Sequence, residues 1–191
     1  MSLAKPVDQT DHVTGPADAP VMLVEYGDFQ CPYCRAAHFY LKNVLATMGD
    51  EVLFVFRHMP LTQVHPMAQP AAEAAEAAGA QGKFWPMHDA IYEHQDALSP
   101  ALLTRLAQRL GLDMQRFTDD LQSHRFLPKV RGDFMSAVRS GAAGTPSFFI
   151  NGEPYEGGFD DESLIEALRF AARMRGAPAT RSHHTPRPRA H

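Results

Sequence analysis

The sequence predicts an α/β fold made of a βαβ half and a ββα half, with a long helical stretch inserted between them. Three features carry that expectation: the apolar run Val21-Met22-Leu23-Val24 passes directly into helical periodicity, a second apolar run follows at Val52–Phe56, and Asn151-Gly152 separates two short strand signals late in the chain. At 191 residues, 45% hydrophobic and 21% charged, the chain suits one globular domain with a full core.

Residues 1–19 are polar and punctuated by Pro6, Gly15 and Pro16, which reads as an arm leading to the first core strand at about Val21–Tyr26. That strand is apolar almost throughout, as expected of one buried on both faces of a sheet. From Cys31 the period changes. Ala37, Tyr40, Leu41, Val44, Leu45 and Met48 recur at three and four, and Gly49 supplies a stop. The second strand, Val52–Phe56, then pairs in parallel with the first, because so long a crossover favours parallel pairing. Residues 20–63 thus form the first half of the core.

Between 64 and 140 the pattern is helical: an Ala-rich run to Ala80, then Lys83–His94, Pro100–Leu110, Asp113–Ser123 and Leu127–Ser140. Pro70 implies a start or bend in the first of these. Residues 141–175 supply the second half, with Ser147–Ile150 and Pro154–Glu156 as a hairpin across Asn151-Gly152. A last helix capped by Asp160 or Asp161 then follows, its Leu164, Ala167, Leu168 and Ala171 on one face. Residues 176–191 alternate Pro with Arg and His, and disorder is expected there.

The chain has only two cysteines, in Phe29-Gln30-Cys31-Pro32-Tyr33-Cys34, where the first strand hands over to its helix. A Cys-x-x-Cys at that place suits a reversible dithiol/disulfide centre. The helix N-terminus stabilises the anion that thiol exchange needs, so Cys31 is read as the nucleophile and Cys34, one turn on, as the resolving thiol. Pro32 fits the first helical turn. An inert thiol pair or half a zinc site are the alternatives, and no second cysteine pair exists to complete a tetrahedral site. Glu25 lies in the apolar strand six residues before Cys31, where burial would raise its pKa and suit it to proton exchange with Cys34; a strand-end surface acid is the other reading. Asp28 reads as a loop or capping residue. Among ten histidines no His-x-x-x-His pair with an adjacent carboxylate occurs, and no metal site is assigned. His58, at the carboxyl end of a parallel strand, is kept as a substrate-binding candidate.

These residues resemble the DsbA-type thiol:disulfide oxidoreductases of the thioredoxin superfamily, in particular a short bacterial group. The resemblance spans roughly residues 15–173. It rests on Val24-Glu25-Tyr26-Gly27-Asp28-Phe29 with Cys31-Pro32-Tyr33-Cys34, Phe56-Arg57-His58-Met59-Pro60-Leu61, His65-Pro66, Ala71-Ala72-Glu73-Ala74-Ala75, Phe84-Trp85 with Met87-His88-Asp89, and Gly144-Thr145-Pro146-Ser147 through Gly152. It implies a thioredoxin-like core with an inserted helical domain, Cys31 as nucleophile, Glu25 as the buried acid, and Thr145-Pro146 as a cis-proline loop beside the dithiol. Pro32, Tyr33, Thr145 and Pro146 would then meet substrate. Pro32-Tyr33 is the pair found in many glutaredoxins, not the Pro-His of the strongly oxidising periplasmic enzyme, and Thr145 stands where that enzyme has Val.

The expected activity is disulfide exchange with protein thiols, without metal or organic cofactor, by a monomer served by a redox-recycling partner. Glutathione-dependent disulfide reduction is the alternative within redox chemistry, and a redox-responsive binding or chaperone module is the alternative outside it. A net charge of -4 with both signs scattered offers no face for nucleic acid, and no apolar run approaches the ~20 residues of a membrane span. Residues 1–10 lack the apolar stretch of a signal peptide, so a cytoplasmic location is expected for the chain as given, and a periplasmic one if a leader has been removed.

Overall fold

The computed structural model describes residues 2–176, so the expectation of disorder over 176–191 falls almost wholly outside the described residues. Its elements are β1 (His12–Thr14), β2 (Val21–Gly27), α1 (Pro32–Met48), β3 (Val52–His58), α2 (Ala68–Gly79), α3 (Phe84–Glu93), α4 (Pro100–Arg109), α5 (Met114–Gln122), α6 (Leu127–Arg139), β4 (Ser147–Ile150), β5 (Glu153–Tyr155) and α7 (Asp161–Gly176). They form a thioredoxin-like α/β fold with a mixed sheet in the order β1-β3-β2-β4-β5. Strands β2 and β3 are parallel, Leu23 opposite Phe54 and Gly27 opposite His58, while β4 runs antiparallel to β2 and β5 to β4.

The central strand is apolar because both its faces are covered. Val21 and Leu23, with Phe54 and Phe56 of β3, face a core filled by Ala37, Leu41 and Val44 of α1, the alanines of α2, and Leu164 and Leu168 of α7. Val24, Tyr26 and Val55 point the other way, onto Ala137 and Phe134 of α6 and onto Leu3 and Val7 of the N-terminal arm. Thus α6 leaves the helical layer built by α2–α5 and returns across the back of the sheet. Pro70 is the third residue of α2, in the first turn, where a missing N–H breaks no helical bond. Ser99 and Asp113 cap α4 and α5 by accepting from Leu102 N and Arg116 N. Asn151 and Gly152 both hold positive φ, as the tight turn between β4 and β5 requires.

The arm holds a strand that its polar sequence does not announce. Residues His12–Thr14 pair antiparallel with Phe56, Val55 and Phe54, and only three residues take part, too few for a periodicity to show. What fastens them is the wholly buried Arg57, which donates from Nε and Nη2 to the Asp11 carboxylate at 2.8 Å each. Its remaining donors go to Lys5 O, Pro6 O and the Tyr26 hydroxyl. Trp85 Nε1 donates to Val13 O at 3.0 Å. Gly15, at φ 94°, lets the chain leave β1 where a Cβ would run into the Val52 carbonyl.

Burial pushes the Asp11 carboxyl up, but the bonds from Arg57 outweigh it and hold its pKa below the ordinary 3.8. A depressed pKa stabilises the fold above that ordinary value, and the contribution is lost as pH falls through the folded value. Asp11→Asn, which leaves a buried guanidinium without its counter-charge, should cost about 3–5 kcal/mol in urea denaturation at neutral pH, with the gap narrowing in acid. A loss below about 1 kcal/mol would mean that the pair behaves like a surface ion pair and does not fasten the arm.

Candidate active site

Cys31 is the N-cap of α1, in extended geometry (φ -72°, ψ 123°), with Pro32 as first helical residue and no acidic side chain in the first turn. Free N–H groups and the positive end of the helix therefore surround its sulfur, and nothing repels an anion there. Cys34 lies one turn deeper and is completely buried, while Pro32 and Tyr33 are exposed, Tyr33 by 65%. Both cysteines are free thiols.

Two segments from the second half of the fold and the helical layer close on this turn. The Thr145-Pro146 bond is cis, and the Cys31 thiol donates to Thr145 O at 3.3 Å. The Thr145 hydroxyl has no partner of its own, so it is free to donate to the sulfur once the thiol proton leaves. From the other side Gln95, in a single 3-10 turn after α3, donates its amide to both Phe29 O and Cys31 O at 2.9 and 3.0 Å.

Beneath the turn Asp28 is more than a cap. Its carboxylate accepts from Gln30 N, from Leu61 N and from the His65 imidazole, each at 2.7–2.8 Å, tying the Cys-x-x-Cys loop to the loop after β3. Its own N–H donates to Cys34 Sγ at 3.4 Å. Glu25 lies in β2 on the α1 side of the sheet, fully buried, with Oε1 unpaired.

The electrostatics divide the two sulfurs. A hydrogen bond from the Cys34 thiol, then bonds from Thr145 and from the N–H groups of Cys34 and Tyr33, overcome partial burial and lower the Cys31 pKa to about 5. Burial, together with donation of its hydrogen bond to Cys31 and the nearby Glu25 charge, pushes Cys34 well above the ordinary thiol value. Glu25 is raised to about 8, first by burial and second by the charge on Cys31. The arrangement holds one thiolate at the rim, one neutral thiol in the core, and below them an acid able to exchange a proton at neutral pH.

Of the residues singled out in the sequence, Cys31, Cys34, Glu25, Pro32, Tyr33, Thr145 and Pro146 gather here. His58 does not. At 1% exposure it presents no surface to a substrate, and its Nε2 is bonded to Glu76 Oε1 at 2.9 Å, which also bonds His12 at 2.9 Å. The reading of His58 as substrate-binding is therefore corrected to a buried link between β3, α2 and the arm. The strand end does point toward the ligand side, but the helical layer covers it. Gln95 escaped notice because it lies far along the chain in a turn with no periodic signal. Neither cysteine joins a cluster of three or more ligating side chains among the described residues, so the half-zinc alternative finds no other half there.

The Cys31 thiolate should titrate with a midpoint near pH 5, followed by thiolate ultraviolet absorption. Replacing Cys34 by Ala, which removes the leading hydrogen bond, should move that midpoint upward. A wild-type midpoint near the ordinary 9.0 would contradict the arrangement described.

Comparison with known proteins places this geometry. The family model described as Thioredoxin matches residues 7–169. A Na(+)/H(+) antiporter NhaA 3 of Salinispora tropica is 48% identical over 179 residues, 92% of this chain and 27% of the antiporter, and an NhaA antiporter of Herminiimonas arsenicoxydans is 42% identical over 94% of this chain and 29% of its own length. The chain thus spans under a third of these relatives. Among solved structures, oxidised BdbD from Bacillus subtilis superposes with a TM-score of 0.80 at 22% identity, over 90% of this chain and 98% of BdbD. A thioredoxin-like oxidoreductase from Silicibacter pomeroyi gives 0.74 at 27% identity, over 90% and 95%.

Proposed function

The chain belongs to the DsbA-like thioredoxin-fold oxidoreductases, and from that premise we propose that it exchanges disulfides with protein thiols through a mixed disulfide on Cys31 that Cys34 resolves. The observation that carries the reading is the placement of the two sulfurs, Cys31 at the N-cap of α1 where an anion is stabilised and Cys34 fully buried one turn on.

In the oxidising direction a substrate thiolate attacks Cys31 of the Cys31–Cys34 disulfide. The S–S bond breaks, and Cys34 leaves as a thiolate that takes the Glu25 proton. A second substrate thiolate then attacks the substrate sulfur of the mixed disulfide, and Cys31 leaves as a thiolate. Two electrons pass from the substrate dithiol to the protein, and the substrate gains a disulfide. The low pKa of Cys31 makes it a good leaving group and stabilises the reduced protein, which favours oxidation of substrates. In reverse, the Cys31 thiolate attacks a disulfide, and Cys34 gives its proton to Glu25 before attacking Cys31.

Glu25 has a timing role in either direction. Part of its raised pKa comes from the negative charge on Cys31, so when that charge is consumed in the mixed disulfide the carboxyl becomes easier to ionise. More of Glu25 is thereby ionised, and so free to accept the Cys34 proton, at the stage that needs it. Exposed Tyr33 and the Thr145-Pro146 turn flank Cys31, and a peptide bearing the target sulfur would lie against them.

Cys31→Ser should abolish oxidation of a reduced dithiol peptide, and unchanged turnover in that variant would sink the proposal. Cys34→Ser should instead accumulate mixed disulfides, counted by mass spectrometry. The reduction potential should fall by about 60 mV per pH unit below about pH 5, by about 30 mV per unit above it, where one proton accompanies two electrons, and more steeply again as pH approaches 8, where reduction also returns a proton to Glu25. Glu25→Gln should slow the resolving step by about a hundredfold and remove its inflection, expected below pH 8 because the Cys31 charge is gone in the mixed disulfide, while leaving the fold intact. Equal rates across that range would remove Glu25 from proton transfer.

A further inference from the structure

Away from the dithiol, α1 and α3 bring together His38, His88 and Asp89. Both imidazoles are 3% exposed and turn Nδ1 toward the same carboxylate oxygen: His88 Nδ1 is 2.9 Å and His38 Nδ1 4.0 Å from Asp89 Oδ1. A cavity of about 180 Å³, bordered by His38, His88, Asp89, Lys42, Trp85 and Thr14, adjoins them.

Hydrogen bonding within the protein does not account for this group. If neutral His88 donates from Nδ1 to Asp89, its Nε2 is a bare acceptor, and that atom is buried with no partner, as is Nε2 of His38. An unsatisfied buried acceptor costs about 1–3 kcal/mol. Aromatic rings surround the two imidazoles: His88 packs edge-to-face on Phe29, Phe56, Trp85 and Tyr92, and His38 stacks on Tyr92. With a cation on Nδ1 the imidazole proton moves to Nε2, and an N–H beside aromatic faces is a favourable contact. The second cluster, His12, His58 and Glu76, differs in that both Nε2 atoms already bond Glu76 Oε1.

We propose that His38, His88 and Asp89 form a zinc site, bound through the two Nδ1 atoms and Asp89 Oδ1 with a water from the cavity as fourth ligand. Ligands about 2.0–2.1 Å from a tetrahedral zinc stand about 3.4 Å apart, between the 2.9 and 4.0 Å present for the two carboxylate pairs, which need shifts of about half an ångström, and all three ligand atoms already lie within 4.8 Å of one another. Lys42 Nζ, 3.7 Å from Asp89 Oδ2 and 2.7 Å from Glu93 Oε1, holds the far carboxylate oxygen while Glu93 offsets its charge. Zinc here would tie α1, whose first turn carries the dithiol, to the helical layer.

The test is equilibrium dialysis with Zn²⁺ of the Cys31→Ser/Cys34→Ser double variant, in which thiolates cannot take the metal, together with its thermal midpoint. One zinc per chain and a raised midpoint are expected. Adding Asp89→Asn, at a half-exposed position where the fold should survive, or His38→Gln should weaken binding by at least about tenfold. His12→Gln should leave it unchanged. No bound zinc, binding indifferent to Asp89→Asn and His38→Gln, or loss of binding in His12→Gln would each overturn the proposal.

Discussion

Two sulfurs three positions apart must hold opposite protonation states, and that requirement organises the rest of the molecule. One has to sit at the mouth of a helix, where unpaired N–H groups and the helix dipole stabilise an anion, and the other has to lie in a dry interior. A helix that starts at the end of a buried strand meets both conditions, because the first turn passes from surface to core. The interior stays dry only if both faces of the sheet are covered. Helices α1 and α7 with the α2–α5 layer cover one face, and α6 with the arm covers the other. Glu25 inherits its raised pKa from the same burial.

The turn carrying the sulfurs is held mostly by groups with no sulfur chemistry of their own. Asp28 joins it to the loop after β3, Gln95 bridges two of its carbonyls from the helical layer, and Gln30 accepts from Met67 N at the start of α2. The inserted helices are thus bonded to the backbone at Phe29 and Cys31 and to the Gln30 side chain between them. Several motif residues have the same supporting character: Arg57 anchors the arm, His58 meets Glu76, and His65 meets Asp28. A Cβ at Gly27 would strike the Phe56 ring, so β2 can pass this aromatic layer only as glycine on its way to the motif.

What was legible in the sequence followed from local chemistry. The change from strand to helix period at Cys31, the Asn-Gly turn, and the Asp160 cap of the last helix each depend on a few neighbouring residues, and each appears where expected. What was not legible depends on distant partners. Strand β1 exists because Arg57, more than forty residues on, neutralises Asp11; Gln95 acts on carbonyls more than sixty residues away. His58 was placed correctly at a strand end, yet only packing by α2 and α3 decides that it is covered. His38 and Asp89 meet across two helices, so no short-range ligand spacing could reveal them.

The coupling between Cys31 and Glu25 joins electron transfer to proton transfer without a moving part. Each raises the cost of charge on the other, so an anion on Cys31 keeps Glu25 protonated, and ionised Glu25 disfavours the Cys31 anion. When Cys31 is bound in a disulfide the repulsion is gone. The acid then titrates closer to neutral pH, while Cys34 remains the group that most needs a base. A surface carboxylate would be screened by solvent and would respond weakly to the sulfur. Placing the acid in an apolar strand costs stability above pH 4.5, since its folded pKa is raised to about 8, and that cost is the physical origin of its sensitivity to the charge beside it.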